Sequence, residues 1–364
     1  MAPGPLGSRG APGPLGSRGA DASSAPGWLR LKGRALRLAQ PLSAHLELTY
    51  RCNWRCVFCY NPRHHDVRGL TGPEWIAVLD DLQALGTLSV ALTGGEALTH
   101  PEFLDIARAA RERHLALRVF TNGALVTEAM ADALAALDPM GIELSIHGAS
   151  AETHDRATGR PGSFAALLLG LTRLQRRGLP LLLKTPLTCM NEHELDAIIL
   201  LVDRLGVPHK VDATLTPRDD GDPGPLQYRA SPAGMERMYR RVAERGRLPA
   251  VERQAGAVNC GLGRITVAVD PEGNVYPCLQ WKRTSLGNVR ETPLRELWEL
   301  SPVREEAAGV ALAANEALMG MGEALARFPF CPALAFQRTG DPLRPDALHT
   351  LQAETVQRVR DHPA

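Results

Sequence analysis

The chain has 364 residues, and its 41 basic and 40 acidic side chains give a formal net charge of +1. A charge balance this even gives no electrostatic basis for binding nucleic acid or an anionic membrane. The apolar runs, such as AIILLV, are far shorter than the roughly 20 residues of a membrane span. The first forty residues also lack the apolar segment of a secretory signal. We therefore expect a cytoplasmic protein whose clustered cysteines bind metal or take part in chemistry.

The amino-terminal segment is repetitive. Residues 2–10 and 11–19 are two copies of APGPLGSRG. Because a segment so rich in Gly, Pro and Ser cannot build a core, residues 1–26 are expected to form a disordered leader. The segment also fits an upstream mis-start or a remnant of expression, and it is excluded from the fold prediction.

Residues 42–217 alternate between short apolar runs and amphipathic segments. Helices are predicted after Gly72 and after His100, each with a proline at its start. Strands are predicted at 44–50, 88–94, 115–123, 141–148, 179–187 and 209–215. This alternation predicts parallel strands joined by helical crossovers. Six units are too few for a closed eight-unit barrel, so we expect an α/β fold with a partial (β/α)6 TIM-like barrel.

The pattern changes after residue 217. Residues 218–254 are predicted to be a bridging loop and helix. Residues 265–278 then form two alternating runs around the turn DPEGN, which predicts a β-hairpin. We expect a small α+β carboxyl-terminal extension at 255–345, built on this hairpin, and a terminal helix or tail at 346–364.

Three of the seven cysteines follow the first predicted strand, in the stretch TYRCNWRCVFCYN. The carboxyl ends of parallel strands are where sites assemble, so Cys52, Cys56 and Cys59 can converge on one metal centre. Iron–sulfur clusters usually take four cysteines, and three would leave one iron open to a substrate. The alternative is a zinc site with His64 or His65 as the fourth ligand, although zinc ligands usually come as two separated pairs.

The C-x3-C-x2-C spacing, with Phe58 before the last cysteine, resembles that of the radical S-adenosylmethionine (SAM) superfamily. The segment LTGGEAL, which ends the second predicted strand, resembles a second motif of that family. The resemblance implies a [4Fe–4S] cluster on the three cysteines, with SAM bound to the open iron. It also implies that the reduced cluster cleaves SAM to a 5′-deoxyadenosyl radical, which removes hydrogen from a substrate carbon.

The resemblance extends to further SAM contacts. Gly94 and Gly95 lack a Cβ and would let the backbone approach the methionyl amino group, while Glu96 would help to hold that ammonium. Ser145 ends the fourth strand, where the family often places a serine near SAM; it also fits a capping serine. Lys184 is costly to bury alone, so we expect it to face the barrel mouth and pair with a carboxylate of SAM or substrate. The sequence assigns no catalytic residue.

The carboxyl-terminal extension resembles a SPASM or twitch domain, which holds auxiliary iron–sulfur clusters. Its cysteine set is incomplete, because Leu334 stands where a further cysteine is expected. Cys260, Cys278 and Cys331 would hold one auxiliary cluster with an open or non-cysteine fourth ligand, or they are ordinary buried thiols. Cys189 belongs to neither group; its predicted place is the core, and the alternative is a position near the site as a hydrogen-atom donor.

The leading hypothesis is an enzyme that matures a ribosomally made peptide, by analogy with SPASM-bearing relatives. The second hypothesis is a small-molecule dehydrogenase or mutase with a twitch-like domain. The third is a non-catalytic barrel that binds a peptide. The resemblance also implies a flavodoxin- or ferredoxin-type reductant, and the first hypothesis adds a peptide-binding helper protein.

Overall fold

The computed structural model describes residues 26–61, 63 and 68–362. The predicted leader lies outside these residues except for Pro26, and His64 and His65 lie outside them as well. Strands β1 to β9 are, in order, Ser43–Thr49, Ser89–Gly94, Ala116–Thr121, Gly141–Ser145, Leu181–Pro186, His209–Asp212, Thr266–Val269, Asn274–Tyr276 and Gly287–Asn288. Helices α1 to α13 are Gly27–Leu38, Gly72–Ala84, Phe103–Glu112, Glu128–Ala136, Ala151–Thr158, Ser163–Gln175, Leu195–Leu205, Pro232–Glu244, Leu294–Leu300, Pro302–Met319, Glu323–Ala326, Pro332–Thr339 and Ala347–Asp361.

The six predicted strands of the barrel are confirmed as β1 to β6. They pair in parallel in chain order, with β6 at the far end of an open sheet. β4 and β6 end three residues earlier than the sequence predicts. The structure thus confirms an α/β fold with an open, partial barrel.

Local chemistry explains where the first crossover helix begins. Thr71 and Glu74 form a capping box, in which each side chain accepts a bond from the other residue's backbone, and Pro73 occupies the first turn. The prediction for the next helix was less accurate. α3 begins at Phe103, so Pro101 precedes the helix and does not occupy its first turn.

The predicted hairpin is confirmed as β7 and β8, and its position is a finding that the sequence did not indicate. β7 pairs in parallel with β1, with Ser43 opposite Thr266, while β8 and β9 follow in antiparallel order. The hairpin thus continues the barrel sheet on the side away from β6. Within the described part of the chain, no helix is long and apolar enough to cross a membrane.

The two faces of the sheet differ in chemistry. Apolar strand residues such as Leu46, Leu92 and Leu144 are fully buried against the crossover helices, in one core with Trp75 and Ile106. Each such side chain stabilises the fold by about 1.5–3 kcal/mol through burial. The alternate residues face the other way and include Glu47, Thr93, Phe120, Glu143 and Lys184. This polar inner face is where a buried ligand could be bound.

Candidate radical SAM site

The cysteine loop follows β1 and is fixed on two sides. Arg55 N–H donates to Thr158 O (2.8 Å) and Val57 N–H donates to Ala157 O (3.0 Å), which ties the loop to the end of α5. On the other side, Glu96 N–H donates to Arg51 O (2.8 Å) at the end of β2. The loop is therefore held by its neighbours as well as by its own turns.

The three thiols of this loop are partly buried in the structure. Burial raises the pKa of Cys52 to about 11, and burial also raises the pKa values of Cys56 and Cys59. Backbone N–H groups point at the sulfurs: Trp54 N–H donates to Cys52 Sγ (3.4 Å), and Asn61 N–H donates to Cys59. Such N–H groups stabilise the thiolates that form when the thiols lose their protons on metal coordination. The donor set therefore fits an iron–sulfur cluster.

Among the described residues, no three His, Cys, Asp or Glu side chains lie close enough together to hold a single metal ion. The zinc alternative needs His64 or His65, which lie outside these residues. The sulfurs that ligate an iron–sulfur cluster surround a larger group, so this observation does not bear on a cluster.

The Gly94-Gly95 pair lies directly against the cysteine loop. A Cβ on Gly94, whose φ is +125°, would lie 2.4 Å from Thr49 O, and one on Gly95 would lie 2.3 Å from Arg51 O. Any side chain here would push the cysteine loop away from β2. The visible role of the two glycines is to let the loop and the strand end meet, and their contact with SAM stays a prediction.

Glu96 is buried and bound on several sides. Its carboxylate accepts bonds from Thr121 Oγ1 (2.8 Å), Asn122 N–H (2.7 Å) and Leu98 N–H (3.2 Å). Burial raises the pKa of Glu96 to about 6, against the effect of these bonds. Asn122 in turn donates to Asn53 Oδ1 (2.6 Å), in the residue after Cys52. Glu96 therefore positions the cysteine loop through Asn122, a role that sequence reasoning missed because Asn53 occupies an unspecified position of the C-x3-C-x2-C spacing.

Lys184 lies on the inner face, and its pairing with a carboxylate of SAM or substrate stays a prediction. It forms an ion pair with Glu143, which also pairs with Arg118, and its Nζ lies 4.4 Å from the centre of the Phe120 ring. The pKa of Lys184 is lowered to about 8, mainly by burial and then by the nearby cations Arg118 and Lys210. Ser145 is the register partner of Lys184. The structure therefore brings Ser145 and Lys184 together, with a protein carboxylate already beside the lysine.

A buried ion pair links the carboxyl-terminal extension to the barrel. Lys282 Nζ lies 2.6 Å from Glu47 Oε2, with side chains 9% and 1% exposed. Tyr60, next to Cys59, donates from its hydroxyl to Glu47 Oε1 (3.1 Å). No sequence pattern indicates this pair, because its members are 235 positions apart.

Cys260, Cys278 and Cys331 come together in a second group. They pack around Leu262, Trp281 and other buried apolar side chains. Burial is the main cause that raises the pKa of each thiol, to about 12 for Cys331, and neighbouring thiols add to it for Cys260 and Cys331. Each sulfur also accepts a hydrogen bond from a backbone N–H, which for Cys331 comes from Leu334.

Cys189, in contrast, is exposed, so its predicted core position is wrong. It lies in the loop that follows β5.

Comparisons with known proteins agree with this geometry. The family model described as "Radical SAM superfamily" matches residues 46–203, and the SPASM model, "Iron-sulfur cluster-binding domain", matches residues 260–319. The PqqA peptide cyclase of Ruegeria pomeroyi is 30% identical, over 71% of this chain and 74% of that protein. This chain belongs to the radical SAM superfamily.

Two further likenesses extend the comparison. The AdoMet-dependent heme synthase of Methanosarcina barkeri is 29% identical, over 71% of this chain and 82% of that protein. The crystal structure of Streptococcus suis SuiB bound to its precursor peptide SuiA has a TM-score of 0.62. It shares 14% identity and covers 80% of this chain and 74% of that one, so it bears on the fold. As a radical SAM enzyme, the chain uses a [4Fe–4S] cluster and SAM.

Proposed function

We propose that this radical SAM enzyme matures a ribosomally synthesised peptide. The observation that carries the proposal is the 30% identity to a peptide cyclase over most of both chains. The matched iron–sulfur extension supports it, since the fold brings Cys260 and Cys278 of the matched residues together with Cys331, which follows them.

Cys52, Cys56 and Cys59 would hold the SAM-binding cluster in this proposal. When bound, the cluster and SAM supply the radical that removes hydrogen from the substrate. The chain's own residues do the rest. Glu96 fixes Asn122 and the cysteine loop, Gly94 and Gly95 border the methionyl end of SAM, and Glu96 would help to hold its ammonium.

The inner face would bind the substrate's polar groups and other parts of SAM. The pair of Lys184 and Glu143 offers a cation and an anion side by side, and Ser145 adds a hydroxyl next to Lys184. A ligand carboxylate could take Glu143's place beside Lys184 without leaving a buried charge alone. These assignments rest on position and on the resemblance of the motifs.

Three predictions about clusters and partners belong to the proposal. Cys260, Cys278 and Cys331 would hold one auxiliary cluster. A flavodoxin- or ferredoxin-type protein would supply the electron, and a helper protein would present the peptide. A cytoplasmic location would suit oxygen-sensitive clusters and reduced thiols.

A small-molecule substrate is the second candidate. The heme synthase is 29% identical and is covered over 82% of its length, and Leu334 stands where a further cluster ligand is expected. Both observations favour an enzyme that acts on a small molecule with a reduced set of cluster ligands.

The test is to incubate the anaerobically reconstituted enzyme with SAM, dithionite and a short peptide encoded beside its gene. We expect 5′-deoxyadenosine and a change in peptide mass that needs all three components. An enzyme that makes 5′-deoxyadenosine but changes the mass of no neighbouring peptide, while it does change a tetrapyrrole carboxylate, would overturn the peptide proposal in favour of the second candidate.

A further inference from the structure

The outer edge of β6 carries backbone groups without partners. Leu183 N–H donates to Pro208 O and Leu187 N–H donates to Asp212 O, so the even-numbered residues of this strand face β5. The N–H and C=O groups of His209 and Val211 therefore point away from the sheet. No strand of the described chain lies on that side. Unpaired edges of this kind are templates for another strand.

Two arginine side chains donate hydrogen bonds to backbone carbonyls on either side of Val211. Arg247 Nη1 donates to His209 O (3.3 Å), and Arg338 Nη2 donates to Leu215 O. Between them, no hydrogen bond joins the outward N–H or C=O of Val211 to any described residue. The outward N–H and C=O of Val211 are thus free for a partner strand, within a β6 that is four residues, or about 13 Å, long.

A cavity of about 760 Å³ runs along the same edge. Leu182 and Lys210 line it on the inner face of the sheet, whereas Ile199 and Tyr239 line it on the helix side. Since side chains of a strand alternate between two faces, a strand beside β6 would place successive side chains on these two sides in turn. The volume lies within the usual range of ligand pockets, about 300–1,000 Å³.

The walls of the cavity favour an apolar peptide with a polar backbone. Met238, Phe328 and Phe330 supply large apolar surfaces. Arg338 uses Nη1 for Asp346 and Nη2 for Leu215, and its side chain is 6% exposed. Its buried Nε has no hydrogen-bond partner among the described residues. A carbonyl of an incoming backbone would satisfy this donor, which otherwise costs stability.

We propose that the peptide substrate binds as an additional strand along the outer edge of β6, paired with Val211, with alternate side chains in the apolar half of this cavity. The inference rests on the proposed function and names where the peptide is held. Backbone pairing would supply affinity with little dependence on sequence, and the cavity would select side chains at every second position.

The chain's own amino-terminal segment is a poor competitor for this edge. Each nine-residue unit of residues 2–19 contains two prolines. Proline cannot donate a ladder hydrogen bond, and glycine weakens strands. Deletion of residues 1–25 should therefore leave peptide affinity within about threefold of the full chain. A tenfold gain on deletion would make that segment the occupant and would overturn the proposal.

The experiment uses octapeptides selected from a random phage-displayed library on the reconstituted enzyme. Each selected peptide is then N-methylated at one position at a time, and its affinity is measured by fluorescence anisotropy. We expect a loss of about tenfold or more at the one position whose N–H faces Val211 O, and little change at the positions on either side of it. A similar loss at two adjacent positions, or no loss at any position, would overturn strand pairing.

Val211→Pro is the matched change on the enzyme. This change removes the outward N–H of residue 211 and leaves every bond to β5 in place, so the selected peptides should bind it at least tenfold more weakly than wild type. Val211→Ala keeps the N–H, and its affinity for the same peptides should stay within about threefold of wild type. Iron content and the melting temperature report whether Val211→Pro is folded.

A second variant serves if Val211→Pro does not fold. Val242→Trp, on α8, fills the cavity without changing the strand, and Val242→Leu is its control. Equal affinity for a folded Val211→Pro, or for Val242→Trp, would overturn the proposal.

Turnover separates this inference from the proposed function. If Val211→Pro modifies a neighbouring peptide as fast as the wild type and at the same KM, strand pairing at β6 is wrong and peptide maturation stands. If the wild type modifies no peptide, the proposed function itself is wrong.

Discussion

The two cysteine groups of this chain reach their positions by different routes. Cys52, Cys56 and Cys59 lie within one loop, which β2 and α5 hold from either side. Cys260, Cys278 and Cys331 come from a turn, the end of a hairpin and the start of α12, across about seventy residues. Loop closure over such a distance costs only a slowly growing entropy, which packing and metal ligation can offset. Spacing in sequence therefore reveals the first site, while only folding reveals the second.

The strongest test of the comparison removes the first group. Replacing Cys52, Cys56 and Cys59 together with Ala should remove about four irons per chain and abolish 5′-deoxyadenosine formation. Iron and sulfide are counted after anaerobic reconstitution, and 5′-deoxyadenosine is measured by chromatography. Cys189→Ala is the control, because this exposed thiol belongs to neither group. SAM cleavage by the triple variant, or one zinc per chain in the anaerobic wild type, would contradict the prediction.

The second test removes the other group. We expect about eight irons per chain in the wild type and about four when Cys260, Cys278 and Cys331 all become Ala, with substrate turnover lost. Leu334→Cys sharpens this test, because the backbone N–H of residue 334 already donates to the Cys331 sulfur, so the new thiol would lie in the same turn as Cys331. It should slow the loss of iron to a chelator. Four irons in the wild type would mean that these cysteines only pack.

The same contrast explains how far the sequence could predict this molecule. The six barrel strands and the cysteine loop follow from hydrophobic patterns and spacing, which are local. The structure has all six strands, with β4 and β6 three residues shorter than predicted. The parallel pairing of β7 with β1 and the bond from Asn122 to Asn53 depend on which distant segments meet. Short patterns do not contain that information. Cys189 was misplaced for a related reason, since the burial habit of free cysteine is a tendency and its loop is exposed.

A third prediction concerns the buried contact between the two regions. Lys282→Met would leave Glu47 buried without its partner, which should lower the free energy of unfolding by about 3–5 kcal/mol. The double variant with Glu47→Leu should recover most of this loss, because it removes the uncompensated charge. Arg283→Met is the control: its pair with Glu306 is exposed, and the change should cost less than about 1 kcal/mol. Equal losses of unfolding free energy for Lys282→Met and Arg283→Met in denaturant unfolding would show that the buried pair contributes no more to stability than the exposed pair.

The smallest effect is expected at an exposed contact between the same two regions. Arg290, after β9, donates from Nε to Glu74 Oε1 (2.8 Å) and from Nη2 to Gly69 O (2.8 Å), near the start of α2. The pKa of Glu74 is lowered from 4.5 to about 2, mainly by the hydrogen bond from Arg290 and then by the backbone hydrogen bond from Thr71. A carboxyl whose pKa is lower in the folded state adds stability above its unfolded pKa, and that stability is lost as the pH falls from about 4.5 to about 2.

Because the side chains of Arg290 and Glu74 are 31% and 35% exposed, solvent screening reduces this gain. Arg290→Ala should lower the free energy of unfolding by about 1 kcal/mol at pH 7. The difference from wild type should shrink as Glu74 becomes protonated below about pH 4, and it should also shrink in 1 M salt. The loss caused by Lys282→Met, whose partner is buried, should change little with salt. A salt-independent loss at Arg290 would mean that its bonds to backbone carbonyls, and not its charge, hold the extension to α2.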